Sequence, residues 1–355
     1  MRLSLFLNPW GASSFSRHLP TLLAEARRRG YAGVEMSLAD LGADDAARRG
    51  TADLIDSHGM RLILGLYTSW DDYEGPWRAS TPRDHCAQLE QQLRAASGLG
   101  TVVTHMNIHG GCDSWDERAQ ASYWNDALPL VSAFLEEHEH VGAAGREADV
   151  FGSRPTHLTG ASHETHRGRI LHHPYATLRA LEAYPPLRLT ADLSHWHVVA
   201  ERLVGHEDAG EAAEVHESVA FHVDHIHARI GGTQSPQLPA HPPAHPEAAS
   251  ERDAATACHV AFWKAVWSHK AARGGKEVTA TPEYGPFPYQ ATGGAPELWE
   301  QTMAAGELVR EAFAEWSAEH SVSEHGGGSA SGAPAHGALE SGSRVLAGCS
   351  TNKSQ

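Results

Sequence analysis

The feature that most restricts how this sequence can fold is an alternation of short apolar runs with longer segments of helical periodicity. The short runs predict strands, because they are rich in β-branched or apolar residues and are bounded by turn residues. Eight such strands are predicted, lying within Leu3–Leu7, Gly33–Ser37, Arg61–Thr68, Thr101–Ile108, His157–His166, Leu187–Leu193, Val223–Ile230 and Glu277–Pro282.

A helix is predicted after each strand, from apolar residues at helical spacing. These helices are expected at Ser16–Arg29, Ala43–His58, Pro82–Ser97, Asp116–His138, Tyr175–Ala183, within Val198–Ser218, and at Ala254–Arg273 and Pro296–Trp316. Alternating strands and helices indicate a parallel sheet covered by helices. Eight repeats favour closure into a (β/α)8 TIM barrel over an open doubly wound sheet. No GxGxxG motif follows a predicted strand, which disfavours a dinucleotide-binding fold.

Residues 1–320 are predicted to form the barrel as a single domain, and residues 321–355 a disordered tail. The tail is rich in Gly, Ser and Ala and poor in bulky apolar residues, so it lacks the means to build a core. Two long loops interrupt the alternation, Gly142–Thr156 before the fifth strand and Gly231–Arg252 after the seventh. The second is either a lid over a site on the C-terminal face or a surface insertion without function.

Composition excludes several classes of function. The formal net charge of −16 argues against a nucleic-acid partner, which would favour a basic surface. No run of about 18 apolar residues is present, so no membrane span is expected. The four cysteines are far apart and form no CxxC motif, which argues against a disulfide framework or a cysteine zinc site and favours a cytoplasmic location.

Carboxylates and imidazoles gather at the carboxyl ends of four consecutive strands, where barrel enzymes place their active sites. The segments that carry them are SHETHRGR, ADLSHWH, HIHARIGG and TPEYGPFPY. Several carboxylates in one barrel mouth repel each other and are costly to desolvate unless a cation neutralises them. The sequence therefore predicts one divalent metal ion. Carboxylate and imidazole ligands would accept Mn²⁺, Mg²⁺, Co²⁺, Fe²⁺ or Zn²⁺ without selecting among them.

These motifs resemble the xylose isomerase-like TIM-barrel superfamily. The features that carry the resemblance are Asp192-x-x-His195, the pair His225-x-His227, and Glu283 in TPEYGP. The runs HETHRGRIL, LTADLSHW, HIHARIG and TPEYGPFPY are similar to a sugar phosphate isomerase/epimerase-type subgroup. The resemblance extends from about residue 2 to residue 316 and implies a small carbohydrate-like substrate. Relatives of this kind are often oligomers, so a homo-oligomer is a further expectation.

The resemblance also implies the site residues. The implied metal ligands are Glu164, Asp192, His227 and Glu283. Glu164 and Glu283 match residues that also act as an acid/base pair, and His195 matches a catalytic histidine that contacts a substrate oxygen. Further substrate contacts are expected from Arg229, His109, Arg167, His166 and Trp196.

Each assignment has a simpler interpretation beside it. A strand-end aspartate such as Asp192 often caps the next helix, and a lone histidine such as His109 is often a core residue. His225 and His227 share a strand face because they are two residues apart, so one would ligate while the other is a buried structural partner. Any single tryptophan, including Trp196, is more often an ordinary packing residue.

The leading functional hypothesis is metal-assisted enolisation of a sugar or sugar-like polyol, giving isomerisation or epimerisation. A lyase of the inosose-dehydratase type would use the same residues. A metal-dependent hydrolase related to AP endonucleases is a third hypothesis, and a degenerate binding barrel is a fourth. The third strand ends in LYTSWDDY without a histidine, which argues against a three-metal site. The metal content distinguishes these hypotheses: none for a binding barrel, one for an isomerase or lyase, and two or three for a hydrolase.

Overall fold

The strands form a closed barrel of eight parallel strands, each hydrogen-bonded to the next, with the last returning to the first. The computed structural model describes residues 1–12, 15–69, 81–139, 158–206, 209–240, 246–286, 289 and 295–325. The strands are β1 Arg2–Leu7, β2 Gly33–Ser37, β3 Arg61–Tyr67, β4 Val103–His109, β5 Ala161–Glu164, β6 Leu189–Ala191, β7 Val223–His227 and β8 Glu277–Thr281. The predicted (β/α)8 barrel is thus confirmed.

Helices connect the strands. They are α1 Pro9–Ala12, α2 Leu19–Arg28, α3 Leu38–Leu41, α4 Asp45–Ser57, α5 Pro82–Ser97, α6 Glu117–Glu139, α7 Pro174–Ala183, α8 Leu193–Ala200, α9 Ala209–Glu214, α10 Pro246–Ala272 and α11 Ala295–His325. Short 3-10 turns lie at Gly100–Val102 and Ala220–His222, and a π-helical turn at Val215–Val219. Among the described helices, none combines the length and the apolar character needed to cross a membrane.

The interior of the barrel is partly polar. All seven residues of β4 are buried, and its odd-numbered members His105, Asn107 and His109 share one face because side chains alternate along a strand. On β2, Glu35 is buried as well, with a 3% exposed fraction. Buried polar groups require partners, so these side chains predict a hydrogen-bonded network inside the barrel.

The amino ends of three strands meet in an ion-pair network. Glu277 begins β8, and its carboxylate accepts hydrogen bonds from Arg61 Nη1 and Nη2 at 3.0 and 2.8 Å. Arg2 Nη2 lies 2.8 Å from Glu277 Oε1, and the Ser4 hydroxyl donates to the same oxygen. Burial alone would raise the pKa of Glu277, but Arg61, Ser4 and Arg2 lower it to about 2. The network therefore stabilises the charged carboxylate.

Helix boundaries differ from expectation at three places. A helix was expected within Val198–Ser218, and α9 lies there, but a further helix, α8, begins directly after Asp192, because that side chain caps it. The helix predicted to begin at Ala254 starts at Pro246, so the long loop after β7 is shorter than expected. The last helix was expected to end at Trp316 but continues to His325, since the sequence after Trp316 has no Gly or Pro until the glycine run at 326. Residues 326–355 and the loop Gly142–Thr156 lie outside the described residues.

Candidate metal centre

Glu164 ends β5, and its side chain faces the barrel interior. Asn107 Nδ2 donates to Glu164 Oε2 at 2.8 Å, and His109 Nε2 contacts the same oxygen. Burial would raise the pKa of Glu164, but His109 and His227 lower it well below its usual value. The second oxygen, Oε1, is buried and accepts no hydrogen bond from the described residues. An ionised carboxylate with one unsatisfied oxygen is suited to bind a cation.

Asp192 follows β6 and is fully buried. Its Oδ1 accepts a hydrogen bond from Ser194 N at 2.9 Å and so caps α8, while Oδ2 forms an ion pair with Arg229 Nη2. Burial raises the pKa of Asp192 to about 6 against the lowering effect of Arg229, and Glu283 and Glu164 add to the rise. The capping role considered for this residue is confirmed, and it coexists with a place among the other carboxylates.

His227 ends β7 and links two groups of carboxylates. Its Nε2 lies 2.9 Å from Glu35 Oε1, while its Nδ1 lies 3.4 Å from Glu164 Oε2 and 3.2 Å from Glu283 Oε2. Burial would lower the pKa of His227, but Glu35, Glu283 and Glu164 raise it well above its ordinary value. The carboxylates therefore create a field that strongly favours positive charge at this position.

Glu283 follows β8 and is the candidate ligand that lines a cleft. The stiff Thr-Pro sequence before it fixes the strand end. Asn8 Nδ2 lies 3.3 Å from Glu283 Oε1, and Arg229 Nη1 lies 3.5 Å from Oε2. Its side chain is 12% exposed, against 0% for Asp192. Glu283 also lines a cleft of about 700 Å³, whose other polar lining residues include Glu35, Tyr67, His109, His166 and Tyr289.

The four predicted ligands come together in this structure. Glu164, Asp192, His227 and Glu283 each offer one donor atom, and these atoms all lie within 4.8 Å of one another. Two of the three carboxylates, Asp192 and Glu283, pair with Arg229, and the buried Glu164 Oε1 and His227 Nδ1 make no hydrogen bond to described residues. A mixed set of carboxylates and an imidazole accepts many divalent cations. These residues therefore fit a divalent cation, although their role as ligands stays a prediction.

His195 lies in the first turn of α8, close to the candidate ligands. Its Nε2 is 2.8 Å from Arg229 Nη2, 3.6 Å from Asp192 Oδ2 and 3.9 Å from Glu164 Oε1. Because Arg229 can only donate, His195 Nε2 accepts that bond and its ring is neutral with a proton on Nδ1. Burial, together with His166 and Arg229, lowers the pKa of His195 well below its usual value, which agrees with a neutral ring.

His109 and His166 line the cleft, and Arg167 packs against Tyr289, another residue of its lining. The ring of His166 lies 3.8 Å from that of His195 and 5.2 Å from that of His109, measured between centroids. Its Nε2 is 3.1 Å from the Tyr289 hydroxyl. The Arg167 guanidinium lies 5.0 Å from the centre of the Tyr289 ring. The structure thus places these three predicted contact residues beside the centre.

Arg229 and Trp196 are both buried, and each has partners inside the protein. Arg229 is 1% exposed and is engaged by Asp192, Glu283 and His195, so it acts as an internal counter-ion. Trp196 was expected to contact substrate, but it is fully buried in the hydrophobic core and its indole N–H donates to Leu171 O at 2.9 Å. The packing interpretation therefore describes Trp196 correctly, since its polar atom is satisfied away from the cleft.

Sequence reasoning missed two residues of the centre. Glu35 reaches across the barrel from β2 to both histidines of β7. Asn107 Nδ2 lies 3.2 Å from Glu35 Oε1 and 2.8 Å from Glu164 Oε2, so it bridges the two carboxylates. A signal existed for Glu35, because an acidic residue inside the apolar run GVEMS is costly to bury without a partner.

Comparison with solved structures supports the fold. The chain matches the IOLI protein, solved with a bound zinc atom, with 13% identity, a TM-score of 0.52, and 89% of this chain and 99% of the other covered. It also matches a sugar phosphate isomerase/epimerase from Parabacteroides distasonis ATCC 8503, with 10% identity, a TM-score of 0.49, and 86% and 92% of the chains covered. A xylose isomerase domain protein from Alicyclobacillus acidocaldarius matches with 15% identity, a TM-score of 0.48, and 89% and 100% covered.

Neither comparison with known sequences gives a relative. No protein-family model matches the chain, and no curated protein matches it. At 13% identity, the match to the IOLI protein establishes a shared barrel fold and leaves the reaction open. The fold that the sequence resemblance implied is therefore confirmed, and the function has to be argued from the site itself.

Proposed function

We propose that this protein is a divalent-metal-dependent isomerase or epimerase of a sugar or sugar-like polyol. The observation that carries the proposal is the convergence of Glu164, Asp192, His227 and Glu283 within 4.8 Å at the ends of four consecutive strands. Glu283 opens this group to a cleft of about 700 Å³, a size suited to a small molecule.

The four residues would hold one cation. When bound, the ion would polarise a carbonyl and an adjacent hydroxyl of the substrate, which acidifies the neighbouring C–H bond. Glu164 and Glu283 lie on different strands and both approach His227, so they would flank a substrate bound at the centre. One carboxylate would take the proton from carbon and the other would return it.

The remaining residues would bind and orient the substrate. His195 is held neutral by its burial and by Arg229, so its protonated Nδ1 would donate a hydrogen bond to a substrate oxygen. His166 and His109 line the inner cleft, where their rings would contact the substrate directly. Arg229 keeps Asp192 and Glu283 in place by ion pairing. Its own contact with substrate is part of the proposal.

Solvent exchange tests the proposal. The metal-loaded protein is incubated in D₂O with a panel of ketohexoses and their phosphate esters, and products are analysed by NMR and mass spectrometry. We expect one substrate to give an isomer or epimer that carries deuterium at the carbon next to the carbonyl. A product that has lost water would indicate a lyase instead. Cleavage of a phosphodiester by a protein holding two or more metal ions would contradict the proposal.

A further inference from the structure

A buried carboxylate lies behind the imidazole of the candidate centre. Glu35 of β2 is 3% exposed and reaches across the barrel to β7. Its Oε1 lies 2.9 Å from His227 Nε2 and its Oε2 lies 3.2 Å from His225 Nε2. Asn107 Nδ2 approaches Glu35 Oε1 at 3.2 Å. Each carboxylate oxygen therefore has a defined partner, and both oxygens of the side chain are fixed.

The contact between Glu35 and His227 decides which ring nitrogen carries the proton. An ionised carboxylate only accepts hydrogen bonds, so the proton must sit on His227 Nε2. The other nitrogen, Nδ1, then has a free lone pair when the ring is neutral. It lies 3.2 Å from Glu283 Oε2 and 3.4 Å from Glu164 Oε2, among the oxygens of the candidate ligands. The ring is therefore oriented to ligate through Nδ1.

Glu35, His225 and His227 also place donor atoms within 4.8 Å of one another, which raises the alternative that they bind a metal themselves. The contacts of His225 argue against this. Its Nδ1 lies 2.8 Å from Thr279 Oγ1, and its Nε2 lies 3.1 Å from Thr281 Oγ1 as well as 3.2 Å from Glu35. Both nitrogens are thus engaged in hydrogen bonds.

We infer that Glu35 is a positioning residue of the metal centre, which holds the proton on His227 Nε2 and directs Nδ1 to the cation. His225, fixed by two threonine hydroxyls, holds the second oxygen of Glu35 and so sets its orientation. The inference rests on the proposed function, because it requires a metal at the four-residue centre. Carboxylate–histidine–metal arrangements of this kind fix the tautomer and raise the basicity of the ligand.

Metal affinity tests the inference without any substrate. Zn²⁺ binding is measured by competition with a chromophoric chelator at one fixed pH, for the wild type, Glu35→Gln and two controls. Glu277→Gln removes a half-buried, ion-paired carboxylate at the other end of the barrel, and Glu283→Gln removes a candidate ligand. We expect Glu35→Gln to weaken binding about 10- to 100-fold while still binding one ion per chain. Glu277→Gln should leave the affinity unchanged.

The outcomes separate the inference from the proposed function. If Glu283→Gln weakens binding but Glu35→Gln stays within about twofold of wild type, the positioning role is wrong and the centre stands. If the wild type binds two ions and Glu35→Gln or His225→Gln binds one, the three-residue cluster is itself a metal site and the inference is wrong. A wild type that binds no ion contradicts the proposed function and the inference together.

A second measurement uses the unaltered protein, in case Glu35→Gln does not fold. Long-range ¹H–¹⁵N spectra of ¹⁵N-histidine-labelled, zinc-loaded protein report which ring nitrogen carries the proton. The signals of His227 are assigned by comparison with His227→Gln. We expect a protonated Nε2 and a metal-shifted Nδ1. A protonated Nδ1, with Nε2 shifted by zinc, would overturn the inference.

Discussion

The carboxylates at the two ends of this barrel are surrounded by different numbers of positive charges. At the amino ends of the strands, Glu277 is matched by Arg61 and Arg2, and each of these contacts is a direct ion pair. At the carboxyl ends, Asp192 and Glu283 share one guanidinium, Arg229, and the buried Glu164 Oε1 and His227 Nδ1 make no hydrogen bond to described residues. The difference shows which end is built for stability and which for binding.

The pKa of a carboxylate is shifted in opposite directions at the two ends of the barrel. The cations around Glu277 lower its pKa to about 2, so its charge stabilises the fold. Burial and neighbouring carboxylates raise the pKa of Asp192 to about 6, so its charge is costly until a cation arrives. A pKa raised in this way, beside a cleft that Glu283 lines, is characteristic of functional sites.

The largest expected effect is on the carboxyl end of the barrel, where the candidate metal centre lies. Glu283→Gln removes a carboxylate that serves as both proposed ligand and proposed acid/base group. We expect turnover of a confirmed substrate to fall by about 10²- to 10⁴-fold. The free energy of unfolding of the metal-free protein should change less than in Glu277→Gln. Steady-state kinetics and urea unfolding provide the two measurements. Turnover that persists with the metal bound would mean that Glu283 is not the acid/base group.

Glu277→Gln disrupts the ion-pair network at the amino end of the barrel. It removes the charge that pairs with Arg61, whose side chain is 9% exposed and would be left unpaired. A pKa lowered from 4.5 to about 2 corresponds to about 3 kcal/mol of unfolding free energy near neutral pH. We expect a loss of about 2–3 kcal/mol in urea unfolding, with unchanged metal affinity. A weakened metal affinity in this variant would show that the two ends are coupled.

The pH dependence of the unfolding free energy tests the stabilising role assigned to Glu277. The folded-state pKa of Glu277 is depressed, so its stabilisation is complete above the unfolded value near 4.5 and disappears as the pH falls towards about 2. The stability difference between wild type and Glu277→Gln should therefore be constant from about pH 7 to about 5 and shrink below that. The buried His105 and His163, whose pKa values are lowered to about 3, destabilise both proteins equally in acid. A difference that grows on acidification would contradict this assignment.

The smallest expected effect concerns Trp196. Trp196→Phe loses the hydrogen bond to Leu171 O and leaves a small void in the core. We expect a loss of about 1–2 kcal/mol in unfolding free energy. The KM for a confirmed substrate should change by less than about twofold. A raised KM with unchanged stability would restore the interpretation of this residue as a substrate contact.

Much of the architecture follows from the sequence because periodicity reports directly on burial. The alternation predicted all eight strands and the closed barrel. The resemblance selected Glu164, Asp192, His227 and Glu283, and these residues were expected to meet because the carboxyl ends of parallel strands share one end of a barrel. The part of the site that could not be predicted depends on contacts across the barrel. Glu35 of β2 contacts His225 and His227 of β7, which lie 190 and 192 positions away in the sequence. No local pattern encodes these contacts.

The placement of Trp196 has a related cause. Trp196 and His195 are adjacent in one motif, yet α8 begins directly after Asp192 and turns them in different directions, one to the core and one to the site. Arg229 pairs with Asp192 and Glu283, and its expected contact with substrate stays a prediction. A motif gives the position of a side chain, while the elements packed against it set the direction of that side chain.

Metal content tests the central claim most directly. Untagged protein is loaded with Zn²⁺ or Mn²⁺, freed of excess ion, and analysed by inductively coupled plasma mass spectrometry and native mass spectrometry. Asp192→Asn and Glu277→Gln, one variant from each end of the barrel, are analysed in parallel. The account predicts one ion per chain for the wild type and Glu277→Gln, and much less than one for Asp192→Asn. No bound ion in the wild type, or full retention in Asp192→Asn, would contradict it.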